Sequence, residues 1–217
     1  MSGSTSEKRR ILAARIFRSY FALILILWIL FVLYPNPVNL IISVPRAFNL
    51  DVDPGAVGPL LADFPSAPAA IEEAVAEKIP YRYDWEVYSV PWYFPTVEEV
   101  LEKGEGDCKA RALLLASIFE AKHIPYRVDL SPIHVWVEYE GKEETSLENA
   151  KVKFYQEDSE TGEKFFQFPE IDLKEVMDSL WQGFWIPMPD VRKALLISGL
   201  VALVGVRVVW FKKGAAQ

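Results

Sequence analysis

The fold is organised around the stretch GEGDCKARALLLASIFEAKHIPYR, residues 104–127, which holds the chain's single cysteine. Asp107 is a favourable N-cap residue, so we expect a helix to begin at Cys108. Apolar side chains go nearly all the way round this helix, which is typical of a helix buried on most sides. Pro125 ends it. The sequence therefore places its one thiol in the first turn of a central, buried helix.

Strand-like runs follow the helix, and Gly162 joins the last two. They are YRVDL (126–130), IHVWVEY (133–139), EETSLE (143–148), KVKFYQE (151–157) and KFFQF (164–168). Short apolar or alternating segments of this kind predict β-strands. A central helix followed by antiparallel strands indicates an α+β fold.

Two further helices are predicted before the central one. Residues 67–80 show helical periodicity, with acidic residues on one side and apolar residues on the other. In residues 95–104, PTVEEVLEKG, Thr96 is the expected N-cap, Glu99 its capping-box partner and Gly104 the terminator. These signals predict a short helix directly before the quoted stretch.

The position of Cys108 favours nucleophilic chemistry. At a helix start the unpaired N–H groups and the helix dipole favour an anion, so a thiol there ionises more readily than a free cysteine. The same N–H groups could hold the negative oxygen of a tetrahedral intermediate. A small buried hydrophobic residue is the alternative interpretation, and a partner base would decide between the two.

The chain has two histidines, and one of them can serve as that base. His123 follows Cys108 by fifteen residues on the same helix, about 22 Å along its axis, and cannot reach the sulfur. His134 lies in the run IHVWVEY, where alternation places it on one strand face together with Trp136 and Glu138. We therefore expect His134 to be the base, with a solvated strand position as the alternative.

A catalytic histidine needs a third group to hold its ring. If residues 140–142 form a three-residue turn, the strands of the resulting hairpin pair so that His134 faces Glu148. Registers displaced by one residue set His134 opposite Leu147 or Asn149 instead. The Glu148 register matches apolar with apolar residues on the inner face, so Glu148 is the predicted orienting residue and Asn149 the alternate.

Both ends of the chain carry apolar segments. Residues 16–34 contain Arg18 as their only charge, and residues 194–211 contain only Arg207. Each segment is long enough to cross a hydrocarbon core of about 30 Å as a helix. A cleaved signal peptide is the alternative for the first, although its apolar core is too long. A buried core helix is the alternative for the second, although basic residues flank it.

These segments and the distribution of charge predict a domain organisation. Residues 45–187 carry 13 basic and 28 acidic side chains, a net charge of −15, whereas the end segments are basic. Basic flanks place both termini in the cytoplasm by the positive-inside rule. The predicted parts are a cytoplasmic N-terminus (1–15), a first transmembrane helix and exit (16–44), an extracytoplasmic domain (45–187), a second transmembrane helix (192–212) and a cytoplasmic tail (213–217).

The charge of the central domain also limits its partners. A net charge of −15 repels nucleic acid and anionic lipid headgroups, so we expect neither as a ligand of this domain. Cysteine and histidine are too few and too far apart for a zinc site, and no glycine-rich phosphate loop occurs, so no metal or cofactor is expected. Gly199 and Gly205 leave a membrane-protein partner possible, although their spacing is not the four-residue motif of small residues.

The stretch 104–127, followed by HVWVEYEG and SLENA, resembles the core of the transglutaminase-like superfamily. The resemblance covers roughly residues 95–150 and is strongest at GDC (106–108), IPYR (124–127) and HVWVE (134–138). It implies a papain-like arrangement, with a cysteine at a buried helix start and a histidine and an aspartate on adjacent antiparallel strands.

By this resemblance, Cys108 is the nucleophile, His134 the general base and acid, and Glu148 stands where the family has aspartate. An upstream aromatic residue often lines the oxyanion hole in such enzymes, for which Trp92 and Trp85 are candidates. Trp136 is a further candidate for contact with the substrate.

The expected activity is acyl transfer from peptide or protein amides, resolved by water or by an amine. The sequence leaves these two outcomes open. The alternative from another class is a catalytically inactive domain that binds peptides or envelope partners.

Overall fold

A computed structural model describes residues 20–143, 145, 148, 151–170 and 172–215, with residues 209–215 as backbone. The chain divides into two compact units. Val38–Pro187 forms the larger one, and the described parts of Met1–Pro37 and Met188–Gln217 form the other. The predicted segment 1–15 lies outside the described residues.

The larger unit consists of several short helices, one longer helix and a sheet. Its helices are α2 (Val38–Phe48), α3 (Pro54–Val57), a 3₁₀ turn (Gly58–Asp63), α4 (Pro68–Lys78), α5 (Asp84–Val87), α6 (Val97–Lys103), α7 (Cys108–Ala121), α8 (Leu173–Leu180) and a π-helical turn (Trp181–Trp185). Its strands are β1 (Arg127–Leu130), β2 (Val135–Glu138), β3 (Tyr155–Asp158) and β4 (Lys164–Phe166).

The central helix α7 begins and lies where the sequence predicts. Asp107 is its N-cap and accepts a hydrogen bond from Lys109 N at 3.0 Å, so Cys108 is the first helical residue. The helix packs against α3, α4, α6 and β2, and its buried residues run from Lys109 to Phe119 with only Arg111 omitted. Burial on nearly every side explains why its sequence carries no polar face.

The helix before it also follows its local signals. Thr96 accepts a hydrogen bond from Glu99 N, the Glu99 side chain returns to Thr96 N, and Gly104 ends α6 in the left-handed conformation at φ 67°. Helix α4 lies within the predicted stretch 67–80. These helices position the start of α7 from the N-terminal side.

The sheet confirms the α+β class. Its strand order is β2-β1-β3-β4, and every neighbouring pair is antiparallel. Val128 lies opposite Val137 of β2 and Glu157 of β3, so β1 is an inner strand. The buried residues of β1 and β2 cover α7, and this layer contact places β2 beside the helix.

The predicted strand over residues 143–148 is wrong at the positions that the structure describes. Glu143, Thr145 and Glu148 lie outside strands. Among the described residues, β1 is the strand that pairs with β2. Directly before these positions, the Lys142 side chain binds Glu72 of α4 at 2.8 Å.

Gly106 fixes how the chain approaches α7 and gives a first testable prediction. Its N–H donates to Pro80 O at 3.2 Å, and a Cβ added to it would overlap the Ala110 Cβ. Because that atom belongs to a buried alanine on the helix, the backbone must move. We expect Gly106→Ala to lower the free energy of unfolding by about 1–3 kcal/mol, measured by urea denaturation.

Gly58→Ala is the matched control for this substitution. An added Cβ at Gly58 meets nothing within 4 Å, and its backbone is already helical. We expect that variant to be neutral or slightly more stable. Equal stability of the two variants would contradict a close approach at Gly106.

The second unit contains helices near the two ends of the described chain, α1 (Tyr20–Leu33) and α9 (Asp190–Ala215). Trp28 of α1 covers Gly199 of α9, where a Cβ would overlap the indole ring. Arg192 binds the carbonyl oxygens of Val32 and Leu33 at 3.0 and 3.2 Å.

Over the described residues, no single helix meets the length and hydropathy expected of a membrane span. Tyr20–Leu33 and Val38–Phe48 meet them only as a pair, with a sharp bend at the break between the two helices. The two predicted transmembrane helices therefore stay predictions.

Candidate active site

Cys108 is held at the start of α7 by contacts on both sides of it. Its thiol is free and half-buried. The two residues before it are fixed, since Asp107 caps the helix and Gly106 forms an isolated parallel bridge with Tyr81. Arg82 N also donates to Gly106 O at 2.9 Å. The sulfur is thus presented from a rigid strand-to-helix corner.

His134 lies in the tight turn between β1 and β2. Its N–H donates to Ser131 Oγ at 2.9 Å, and its carbonyl accepts from Ser131 N at 2.8 Å. Its ring lies parallel to that of Trp136, with centroids 6.0 Å apart and 12° between the planes. The turn and the neighbouring indole restrict the imidazole to one orientation.

The structure brings Cys108, His134 and Glu148 together. His134 Nε2 donates to Glu148 Oε1 at 2.7 Å, and the Cys108 thiol lies within hydrogen-bonding reach of the same ring. Because Glu148 occupies Nε2, the nitrogen left for sulfur is Nδ1. Asn149, the alternate orienting residue, lies outside the described residues.

The electrostatics of this group favour an imidazolium ion. Burial acts to lower the pKa of His134, but hydrogen bonds and charge interactions with Cys108 and Glu148 outweigh it and raise the pKa from 6.5 to about 9. Burial acts to raise the pKa of Glu148, and the opposite effect of His134 and Lys142 leaves it lowered. At neutral pH the arrangement therefore stabilises a cationic ring beside an anionic carboxylate.

A buried charged cluster lies directly behind Cys108. Lys109 Nζ contacts Asp107 Oδ2 and lies 2.9 Å from Asp84 Oδ2, and these three residues are 4–8% exposed. Asp84 also accepts the backbone N–H of Tyr93 at 2.8 Å. Burial, followed by the charge of Asp107, raises the pKa of Asp84 to about 7 against the opposing effect of Lys109. The cluster joins the Asp84–Tyr93 loop to the start of α7.

The three candidate tryptophans occupy different surroundings. Trp136 is 2% exposed, donates to Glu138 Oε2 at 3.3 Å and lies beside the His134 ring. Trp92 packs on the hydrophobic core with its ring edge-on to Phe94. Trp85 is buried, and its ring centre lies 6.0 Å from that of Phe184. Of the three, Trp136 is the one whose ring lies beside His134.

An open groove begins at the turn that carries His134. Apolar residues of that turn, of the segment before β3 and of α8 line it together with Ser131 and three carboxylates: Pro132, Ile133, Val152, Val176, Glu170, Asp172 and Glu175. Glu170 N donates to Lys151 O at 2.8 Å, and Glu175 N donates to Asp172 Oδ1 at 3.3 Å. The groove therefore combines apolar side chains with three carboxylates.

Sequence reasoning did not identify three of the residues around this site. Lys109 and Asp84 form the cluster behind the thiol, and Lys142 binds Glu148 Oε2 at 3.2 Å. A charged residue directly inside an otherwise apolar helix was a usable signal for Lys109. Asp84 and Lys142 gave none, because their partners are distant in sequence.

Comparison of the chain with protein-family models, curated proteins and solved structures found no significant match. In the described part of the chain, no group of three or more histidine, cysteine or acidic side chains is placed to hold a metal ion.

Glu148 provides a prediction that tests the geometry around His134. Replacing Glu148 with glutamine removes one of the groups that raise the pKa of His134, so we expect that pKa to fall from about 9 towards 6.5. The measurement is an NMR titration of the full chain carrying ¹³C-labelled histidine, with His123→Gln assigning the two signals.

Glu138→Gln is the matched control for Glu148→Gln. It removes the same charge nearby, but Glu138 accepts a hydrogen bond from the Trp136 indole and does not contact the imidazole through one. We expect it to leave the titration of His134 nearly unchanged. An unaltered pKa in Glu148→Gln would contradict the bond between Glu148 and His134.

Proposed function

We propose that this protein is a membrane-anchored, transglutaminase-like cysteine acyl-transfer enzyme acting on peptide or protein amides. One observation carries the proposal: the half-buried thiol of Cys108, at a helix start, lies within reach of an imidazole held by Glu148 at 2.7 Å. Cysteine acyl transfer requires a nucleophile beside a base, and a carboxylate that orients the base.

The first half of the reaction forms a thioester. The Cys108 thiolate attacks the amide carbonyl carbon, forming the C–S bond while the carbonyl π electrons move onto oxygen. Collapse of this intermediate breaks the C–N bond, and the departing amine takes the proton of the His134 imidazolium. The Glu148 carboxylate keeps the ring oriented and stabilises its positive charge.

The second half regenerates the thiolate. Water or an amine attacks the thioester carbonyl and loses its proton to His134, and the C–S bond breaks to release the acid or the new amide. Helix geometry leaves the first-turn N–H of Cys108 without an intrahelical acceptor, which supports a role in binding the oxyanion. The groove beside His134 offers a place for the substrate chain.

The location of the enzyme is part of the proposal. The apolar segments 16–34 and 194–211, with basic flanks, support two membrane spans with both termini in the cytoplasm. The acidic central domain then faces the outside of the cytoplasm. A peptide or protein of the cell envelope is the substrate class that such a location would supply.

Trapping of an acyl intermediate tests the activity. Membranes containing the full chain are incubated with a peptide library and quenched in acid, and the intact protein is analysed by mass spectrometry. We expect an added acyl mass on Cys108 that hydroxylamine removes and that Cys108→Ala lacks. Repeating the incubation with methylamine separates the outcomes, since aminolysis yields a methylamide and hydrolysis yields the acid.

The inactive binding domain predicts a different result. Peptides would then be retained without a covalent adduct, and Cys108→Ala would retain them equally well. That outcome would overturn the proposed acyl transfer.

A further inference from the structure

Lys142 has an unusual position for a residue in a surface turn. Its side chain is only 7% exposed, although it lies in the turn four residues after the end of β2. Its ammonium group donates to Glu72 Oε1 at 2.8 Å and to Val137 O at 2.9 Å, and lies 3.2 Å from Glu148 Oε2. Three oxygen partners match the three N–H bonds of an ammonium ion.

Glu72 anchors this lysine to the helical layer. It lies on α4, and its other carboxylate oxygen accepts the Tyr139 hydroxyl at 2.6 Å. Lys142 Nζ also lies 5.6 Å from the centre of the Tyr139 ring. The ammonium is therefore fixed from α4 and from β2 before it meets Glu148.

Glu148 is held by a local turn and not by a described strand. Its N–H donates to Thr145 Oγ1 at 3.1 Å, and its carbonyl accepts from Thr145 N at 3.1 Å. Its two carboxylate oxygens are divided, with Oε1 on His134 and Oε2 beside Lys142. No sheet ladder fixes the direction of this carboxylate, so the ammonium on its second oxygen supplies that restraint.

We propose that Lys142 is a positioning residue that holds the Glu148 carboxylate against the His134 ring. A role of Lys142 in catalysis rests on the proposed function, but its effect on Glu148 and His134 can be tested without measuring turnover. The lysine takes the part that strand pairing would play if residues 143–148 formed the second strand of a hairpin with β2.

A positioning role and a simple charge effect predict opposite results. A nearby ammonium repels the imidazolium, so removing its charge alone would raise the pKa of His134. If Lys142 instead holds Glu148 in place, removing it loosens the bond between Glu148 and His134 and lowers that pKa. The sign of the change distinguishes the two roles.

The experiment is an NMR titration of His134 in the full chain with ¹³C-labelled histidine and with Cys108→Ala as background. That background removes the thiolate, so the titration reports Glu148 and Lys142 whether or not the protein is an enzyme. We expect Lys142→Met to lower the pKa of His134 by about one unit. Lys142→Arg, which keeps charge and donors, should stay near the background value.

Controls keep the result decisive. Lys103→Met removes a positive charge from an exposed position in α6 and should have no effect on His134. If Lys142→Met does not fold, Lys142→Gln keeps a donor for the Val137 carbonyl, and a smaller decrease is expected. If the pKa of His134 is unchanged or raised in the folded Lys142→Met variant, the positioning role is overturned. If that pKa falls as expected but the trapping experiment yields no acyl adduct, only the enzyme activity is overturned.

Discussion

Replacing His134 with alanine is expected to slow alkylation of Cys108 by iodoacetamide on the order of 10- to 100-fold at pH 6.5. An isolated cysteine thiol is only about 1% ionised at that pH. At pH 6.5 the His134 ring, with its pKa raised to about 9, is protonated, and a cation beside the sulfur stabilises the negative charge that develops as the sulfur attacks the reagent. The rate is measured by intact mass against time from pH 5 to 9.

The measurement is unambiguous because the chain has a single cysteine, so every alkylated thiol is that of Cys108. His123→Asn is the matched control, since it removes the other histidine and asparagine tolerates the positive φ of 55° at that residue. It should label at the parent rate. Equal rates for parent and His134→Ala across the pH range would be incompatible with a Cys108–His134 pair.

Lys109→Met is expected to lower the free energy of unfolding by about 3–5 kcal/mol at pH 8. The substitution leaves Asp84 and Asp107 buried at 4% and 8% exposure without the ammonium between them. Two uncompensated carboxylates in a low-dielectric interior repel one another and lack solvation. Urea denaturation of the full chain measures the loss.

The loss of stability in Lys109→Met should also depend on pH in a definite direction. Burial already raises the pKa of Asp84 to about 7, above its value in the unfolded chain, and removing Lys109 removes the group that opposes this rise. Protonation of Asp84 therefore stabilises the folded variant. The stability deficit should therefore shrink as pH falls from 8 to 5 and grow as pH rises. Lys103→Met controls for the loss of one exposed lysine and should change stability by less than about 0.5 kcal/mol. A similarly small effect of Lys109→Met would mean that the cluster is solvated.

The sequence predicts best where a structural signal is local. The Asp107 cap and the Thr96–Glu99 capping box each involve residues within three positions, and the structure confirms both. The apolar run of α7 likewise needs no distant information to indicate burial. The class of the fold, a buried helix with an antiparallel sheet, follows from these elements.

The arrangement of the sheet depends on distant partners and was predicted less well. A hairpin of β2 with residues 143–148 was expected, yet β2 pairs with β1, which in turn pairs with β3. The predicted neighbours His134 and Glu148 nevertheless lie 2.7 Å apart. They meet through side chains held by Lys142, a contact that strand register does not encode.

The charged clusters show the same limit. Lys142 meets Glu72 across seventy positions of chain, and Lys109 meets Asp84 across the loop that carries Tyr93. Nothing in the local pattern marks these residues as partners, because charged side chains in turns and short helices are ordinarily solvated. Only the packing of α4 and the Asp84–Tyr93 loop on the core brings them together.

Cys108 belongs to the helical layer of the domain and His134 to the turn that leads into β2, so the distance between sulfur and imidazole depends on the side chains that separate α7 from β2. An interior substitution that moves these layers apart by a few tenths of an ångström would change reactivity without touching either residue. Natural selection on such chemistry would therefore act on the interior as strongly as on the surface, and homologues that keep the thiol but relax their interior would be expected to lose its reactivity first.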